Sequence, residues 1–338
     1  MKKQKYKGHQ SCGLRDFTKP NFGLRSRQID KALINASLEQ VGGLKNNTHL
    51  ARLPACREFA LFLKQHTAVK RLNHIDKSHV QMFGEYLRER FEAQQDLTSS
   101  TARDYLSHIN VCLKQARGDE KLKVLATKEL DYPPKSGIAT QDGAISDDVH
   151  HQIVTKGSVP VSVMASLQRS FGLRMREAAL LDCQKAFKEC IEKGYITVKR
   201  GTKGGQAREV PSLSESQKEA LVRGCELQSQ TGHDNLVPAS MSFKSFQYRS
   251  WREHKRINPN YLSHGERKHF ACQFYQSTID ALPPIKIPIA HGRAHHAYLA
   301  NELGLSVPEA RALDNEVRMA LSKLLGHHRI TITAAYIG

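Results

Sequence analysis

The sequence has no apolar run near the roughly 18 residues needed to cross a bilayer, so a transmembrane helix is excluded. Its basic start, Met1-Lys2-Lys3-Gln4-Lys5-Tyr6-Lys7, is not followed by an apolar stretch and does not read as a secretory signal. The seven cysteines, at 12, 56, 112, 183, 190, 225 and 272, are odd in number and form no C-x-x-C pair. They read as reduced cytosolic thiols rather than a disulfide framework or a zinc ribbon. There is no P-loop G-x-x-x-x-G-K-[ST], internal repeat or low-complexity tract. Acidic residues are also short. The 338 residues hold 51 Lys and Arg against 33 Asp and Glu, a formal charge of +18, with 17 His besides. The pI is about 9.6 and the mean hydropathy −0.51. A chain this basic fits a polyanionic partner, nucleic acid being the commonest. The bland alternative is a merely basic surface. The length suggests two domains, each able to bury a core without staples.

Residues 1–30 carry eight Lys and Arg against two Asp and Glu and lack periodicity, which predicts a mobile basic arm. From Leu33 to Ala126 the apolar pattern is helical. Leu53, Cys56, Phe59, Ala60 and Leu63 recur at three- and four-residue steps, as do Val80, Phe83, Tyr86 and Leu87. Tyr105, Ile109, Cys112 and Ala116 repeat the pattern behind the N-cap cluster Thr98-Ser99-Ser100-Thr101. Arg52, Lys64, Lys70, Arg71, Arg103 and Lys114 lie among these faces, so residues 31–130 read as a small helical domain with a basic side. The turn-rich stretch 131–146, with Pro133-Pro134 and Gly143, reads as a linker. Residues 147–338 form the second domain. Its expected hairpin pairs Tyr195–Lys199 with Glu209–Pro211 across the tip Arg200-Gly201-Thr202-Lys203-Gly204-Gly205-Gln206. The fold class is therefore mainly α with a small β-sheet.

Four segments of the second domain carry candidate chemistry. In Gly172-Leu173-Arg174-Met175-Arg176-Glu177, Arg174 stands near a helix start and Glu177, three residues on, can hold its guanidinium. An arginine fixed this way suits bidentate phosphate binding, although a surface ion pair reads the same. Lys203 sits between glycines at the hairpin tip and could reach across a cleft, yet tip lysines are commonly just solvated. Ser263-His264-Gly265-Glu266-Arg267 fits the S-x-x-E capping box, placing His264 and Arg267 one turn apart at a helix N-terminus, where an anion is favoured. A capped surface helix is the plain alternative. The last segment is Leu325-Gly326-His327 with Tyr336 nine residues on. An unbroken helix would put His327 and Tyr336 on opposite faces. The β-branched run Ile330-Thr331-Ile332-Thr333 predicts a break, with a threonine capping a new short helix that turns Tyr336 back.

Together these segments, G-L-R-x-x-E, a hairpin Lys, H-x-x-R, then L-G-H-x-x-x-x-x-T-x-x-Y, resemble in order and spacing the tyrosine recombinase (phage integrase) family. His264–Ala271 resembles the family's H-x-L-R-H-x-F-A, with Glu266 in place of Leu and Lys268 in place of His. The resemblance is strong over 145–338, and the helical region is similar to the family's SAM-like core-binding domain by pattern alone. Arg267 and His327 stand 60 residues apart, longer than the family's usual gap, which points to an insert at about 276–315. Within it, His291 and His295 have the i, i+4 spacing of a metal pair, but no further ligand is evident, and no metal is expected.

What the resemblance implies is specific. Arg174 and Arg267 would clamp the scissile phosphate with His264 and His327 assisting. Lys203 would protonate the leaving 5′ oxygen, and Tyr336 would attack to give a 3′-phosphotyrosyl link. The chemistry would need no cofactor, metal or ATP. The partners would be double-stranded DNA attachment sites and, on the synaptic complex, three further copies in a homotetramer, assembled from a free monomer or weak oligomer. Accessory DNA-bending proteins are a further expectation, with no membrane, in the cytoplasm at the bacterial nucleoid. The activity would be a site-specific recombinase integrating or excising a mobile genetic element. Two neighbouring readings are a DNA-binding protein of the same fold that no longer cuts, and a type IB topoisomerase-like enzyme.

Overall fold

The computed structural model describes residues 15–212 and 214–338, which divide at Ser136/Gly137 into two compact units. The first unit holds α1 (Ile29–Gln40), α2 (Asn47–His66), α3 (Lys77–Glu89), α4 (Ser99–Arg117) and the single turn α5 (Ala126–Glu129). Its helix starts are set by short polar side chains. Asn46 accepts from the His49 amide, Asp76 from that of His79, and Thr98 from that of Thr101. The apolar faces meet in one core. Phe59 and Phe83 cross edge-on at 4.9 Å, Phe62 packs beside them, and Leu106, Ile109 and Leu113 close the other side. Burying one such Phe is worth roughly 1.5–3 kcal/mol. The Tyr132 hydroxyl, buried, donates to the Gly84 carbonyl at 2.6 Å and ties the segment after α5 back to α3.

The basic arm expected over 1–30 is corrected in its second half; residues 1–14 lie outside the described residues. Leu24 and Ile29 enter the core, and Phe22 packs against it. Asn21 is fully buried: its side chain accepts from the Leu72 amide at 2.7 Å and donates to the Ser26 carbonyl at 2.8 Å. The two apolar residues find the helical core, and Asn21 supplies the polar partners that let the turn follow them in.

The second unit is built around α7 (Val159–Phe171), which packs against α6 (Asp147–Lys156), α8 (Met175–Ala179), α10 (Glu215–Thr231) and α12 (His264–Ile279). Between α8 and α10 lie α9 (Cys183–Lys193) and the antiparallel pair β1 (Tyr195–Val198) and β2 (Arg208–Pro211), in register from Tyr195↔Pro211 to Val198↔Arg208. Then come α11 (Phe243–Ile257), α13 (Arg293–Leu303), α14 (Val307–Leu324) and the short α15 (Ala334–Ile337). The strands are one face in and one out, with Ile196, Val198 and Val210 buried against α7, α9 and α10. A second core joins Tyr275 of α12 to α13, α14, Tyr336 and Ile337. Residues 276–315 are packed rather than looped out: Ala281, Leu299, Ala300 and Ala310 are buried in that core. The described residues are thus mainly helical with one two-stranded sheet.

Candidate active site

Two chain reversals in the second unit set the geometry. Gly172 ends α7 in the left-handed region, at φ +60°, and its carbonyl accepts from Arg267 Nη1. A Cβ there would lie 2.4 Å from Phe270 Cδ1, so the position demands glycine. The turn delivers Arg174 to the first residue before α8. Glu177 then accepts from the Arg174 amide at 2.8 Å and from Arg174 Nη1 at 2.7 Å, as the three-residue spacing anticipates. At the other end, Gly326 (φ +70°) reverses the chain after α14, with Arg208 lying against it. Ser322, fully buried, donates to the Arg329 carbonyl at 2.8 Å and accepts from its amide at 2.9 Å, pinning the return. A 3₁₀ turn at Ile330–Ile332 and the short α15 bring Tyr336 back beneath His327. The break expected from the β-branched run is present. Thr333 does not cap the new helix; its hydroxyl donates to the Ile330 carbonyl at 2.6 Å.

Five of the six residues singled out from sequence converge. The His327 Nε2 lies 3.2 Å from the Tyr336 hydroxyl and 3.2 Å from Arg174 Nη2, with Arg267 Nη2 at 3.5 Å. Arg267 Nε reaches the same hydroxyl at 3.3 Å, and the His264 ring lies 5.6 Å from the Tyr336 ring, centre to centre. Lys203 is not among them. It is exposed in a 3₁₀ turn at the hairpin tip and hydrogen-bonds to none of the other five. Gly204 and Gly205 beside it both hold positive φ, with nothing packed within 4 Å of where a Cβ would stand.

The electrostatics are those of an anion site. Arg267 is fully buried, and its guanidinium also donates to the Leu325 carbonyl at 2.5 Å. Burial brings its pKa down to about 10, so the charge persists at neutral pH. Glu177, also fully buried, faces three guanidiniums. Arg208 grips it at 3.0 and 2.6 Å, Arg174 at 2.7 Å, and Arg267 stands 3.8 Å away. Burial opposes its charge, but the hydrogen bond and charge of Arg208, then Arg174, win and hold its carboxyl at about 2. One carboxylate against three arginines leaves an excess of two positive charges. Loss of hydration first, then the cations Arg267 and Arg174, lowers His327 to about 4. His264 is likewise lowered to about 4, by lost hydration, then Arg267, Lys268 and Arg174.

Arg208 escapes sequence reasoning. Its partner Glu177 is 31 residues away, and only the strand pairing brings them together. It also donates to the Leu324 carbonyl at 2.7 Å, fixing the end of α14 just before His327. The capping box expected at Ser263 is corrected. Ser263 is itself in helical conformation, and its hydroxyl donates to Gln168 Oε1 at 2.7 Å rather than capping α12. Glu266 is buried instead of reaching back to the backbone. His291 and His295 are each occupied by a backbone carbonyl, of Gly338 at 3.0 Å and Leu282 at 3.1 Å. Among the described residues no helix is long and apolar enough to cross a membrane.

Two family models match this chain, the phage integrase SAM-like domain over residues 32–128 and the integrase domain over residues 135–273. The second match includes Arg174, Lys203, His264 and Arg267 but ends before His327 and Tyr336. A comparison with curated proteins found no match. Among solved structures, the Tn1549 transposon integrase in complex with transposon right end DNA is 12% identical, at a TM-score of 0.52 over 92% of this chain and 95% of that one. A lambda integrase dimer bound to a COC′ core site is 13% identical, at 0.52 over 91% and 76%. XerH site-specific recombinase in its pre-cleavage complex with difH substrate is 14% identical, at 0.51 over 92% and 79%. The fold is thus that of a two-domain integrase, a SAM-like helical domain followed by a catalytic domain. The chain belongs to the tyrosine recombinase, or phage integrase, family, whose members are DNA strand-transferring enzymes.

Proposed function

We propose that this protein is a site-specific recombinase that cleaves and rejoins duplex DNA through Tyr336, integrating or excising a mobile genetic element. The observation that carries this reading is the Tyr336 hydroxyl held against both His327 and the buried Arg267. Guanidiniums have no acceptor, so the contacts of Arg174 and Arg267 with His327 Nε2 require that nitrogen to present its lone pair. His327 is then neutral with its proton on Nδ1, and the Tyr336 hydroxyl donates to Nε2 while accepting from Arg267 Nε.

The reaction follows. A phenol titrates near ~10 in water, so it needs a base at neutral pH. As Arg174 and Arg267 turn their N–H groups onto the phosphate they free the Nε2 lone pair, and His327 takes the proton as the Tyr336 oxygen bonds to phosphorus and the bond from phosphorus to the 5′ oxygen breaks. Arg174 and Arg267 stabilise the added charge on the non-bridging oxygens, and His264 orients the same phosphate. Lys203, carried in by the hairpin, gives a proton to the departing 5′ oxygen. The products are a 3′-phosphotyrosyl link and a 5′-hydroxyl. Attack by a 5′-hydroxyl reverses the step, and the covalent link conserves the bond energy without ATP. The reading includes attachment-site DNA bound by both domains, a homotetramer at synapsis, accessory DNA-bending proteins and action at the bacterial nucleoid. The DNA complexes of the similar integrases support the DNA partner.

The test uses nicked duplexes tiled across the DNA flanking the gene, so that the short 5′ fragment diffuses away and the adduct accumulates. The wild-type protein should give a detergent-resistant protein–DNA adduct. Tyr336→Phe should bind the same duplexes without forming it. An adduct formed equally well by Tyr336→Phe would overturn the assignment.

A further inference from the structure

The resemblance carries a leucine where this chain has Glu266, one residue before Arg267 on α12. Glu266 is fully buried, and burying a lone carboxylate is costly unless it is paired. Its two oxygens are both engaged, Oε1 with His150 Nδ1 at 2.8 Å and Oε2 with Arg169 Nη1 at 2.8 Å. His150 belongs to α6 and Arg169 to α7. Arg169 is itself fixed on every side. It donates to the Ile145 carbonyl at 3.2 Å, pairs with Asp147, and lies 2.9 Å from His269 Nδ1, one further turn along α12. The preceding residue of α7, Gln168, holds the Ser263 hydroxyl at 2.7 Å and donates to the Ser263 and Leu173 carbonyls, both at 3.3 Å. Two consecutive residues of α7 thus grip the start of α12. A Cβ on Gly265 would lie 2.7 Å from both the Gly143 carbonyl and Ile145 Cγ1, so the 143–145 segment packs flush on the same turn.

Successive helical residues point about 100° apart. The carboxylate of Glu266 is therefore committed to α6 and α7 and does not neutralise Arg267 on the neighbouring face. We propose that Glu266, acting through Arg169 and His150, is a positioning residue that sets the rotation and depth of the first turn of α12, and with it His264 and Arg267, against the scissile phosphate. An apolar wedge can slide by fractions of an ångström. A planar guanidinium–carboxylate pair cannot do so without breaking hydrogen bonds. This role rests on the recombinase reading above.

The experiment measures single-turnover adduct formation at saturating protein, DNA affinity by gel shift, and thermal stability, for Glu266→Gln and Arg169→Lys. Glu266→Gln keeps the shape of the residue it replaces, and Arg169→Lys keeps the charge. Cleavage of an ordinary phosphodiester should fall roughly 10- to 100-fold, the usual cost of misplacing a catalytic group, while DNA affinity stays at the wild-type value. A second substrate replaces one non-bridging oxygen of the scissile phosphate by methyl. The transition state then carries one less negative charge and leans less on Arg267, so the loss should shrink to a few-fold. An equal loss on both substrates, or a loss that follows falling melting temperature and affinity, would overturn the positioning role while leaving the recombinase reading intact. A wild-type protein that makes no adduct on any flanking duplex would overturn both. If Glu266→Gln does not fold, Arg169→Lys alone decides by the same comparison.

Discussion

The Nε2 of His327 sits 3.2 Å from the Tyr336 hydroxyl, and Arg174 and Arg267, which can only donate, face the same nitrogen at 3.2 and 3.5 Å. With its pKa lowered to about 4, His327 is neutral across the working range. The cleavage rate should therefore show no inflection near pH 6.5, where an ordinary histidine base would be lost. His327→Ala should slow cleavage at pH 7 by roughly 10²–10⁴-fold, the span of general base catalysis. Single-turnover rates of both proteins check this, and cleavage by His327→Ala at the wild-type rate would remove His327 from the base role.

Histidine ionisation also makes stability depend on pH. His254, almost wholly buried, is lowered from 6.5 to about 4 by loss of hydration, and His264, His269 and His327 are lowered to about 4 with desolvation first among the causes. Each therefore binds its proton more readily in the unfolded chain. The resulting stability is complete above about pH 6.5 and is lost as pH falls from there towards 4. The contribution of His254 alone is on the order of 3 kcal/mol. Glu177 acts with the opposite ionisation and lower down: its stabilisation is present above about 4.5 and is lost towards its folded value of about 2. Urea denaturation at pH 7.5, 6 and 5 should show stability falling at each step. His254→Gln should flatten the slope. Stability unchanged between 7.5 and 5 would contradict histidines held neutral in the folded chain.

The parts of this molecule legible in its sequence are those encoded within a turn or two of chain. The apolar spacing of Val80, Phe83 and Leu87, the cap at Thr98 and the Arg174–Glu177 pair all lie where their local patterns say. The return of Tyr336 to His327 was also local, since it follows from a β-branched run that resists continuing a helix. What could not be read is long-range. Ser263 and Glu266 have a capping-box spacing, but α7 supplies stronger partners for both, Gln168 and Arg169, and the box is not formed. Arg208 looks like an ordinary strand cation until the hairpin carries it to Glu177. Leu24 has no periodic neighbours, yet it is buried once the four long helices present a core.

The glycine after α7 is the mechanical link between stability and the arginine cluster. Gly172→Ala must place a Cβ 2.4 Å from Phe270 while holding φ at +60°. Together the left-handed backbone and the overpacking should cost about 2–4 kcal/mol. Because Phe270 is on α12 and the Gly172 carbonyl receives Arg267, adduct formation should fall more steeply than DNA affinity. Gly326→Ala also needs a left-handed backbone, at φ +70°, but its Cβ meets only the Arg208 chain at 3.2 Å. It should cost about 1–2 kcal/mol. Denaturation of both variants checks the order, and a Gly172→Ala protein as stable as wild type would show that α12 yields freely at this contact.

Lys203 is the one candidate that stands apart, exposed on a hairpin tip with glycines behind it. If it delivers the proton to the 5′ oxygen, its need should depend on how good that leaving group is. An alkoxide leaves poorly, whereas a thiolate, with a conjugate thiol near pKa ~8.5, leaves without a proton. Lys203→Ala should therefore be slowed by roughly 10²–10⁴-fold on an ordinary duplex. It should approach the wild-type rate on a duplex whose scissile 5′ oxygen is replaced by sulfur. Tyr336→Phe should stay inactive on both, because sulfur in the leaving position does nothing for a missing nucleophile. Equal impairment of Lys203→Ala on oxygen and sulfur substrates would place Lys203 in DNA binding rather than proton transfer, and the hairpin's role would then be to hold the backbone beside the cleavage site.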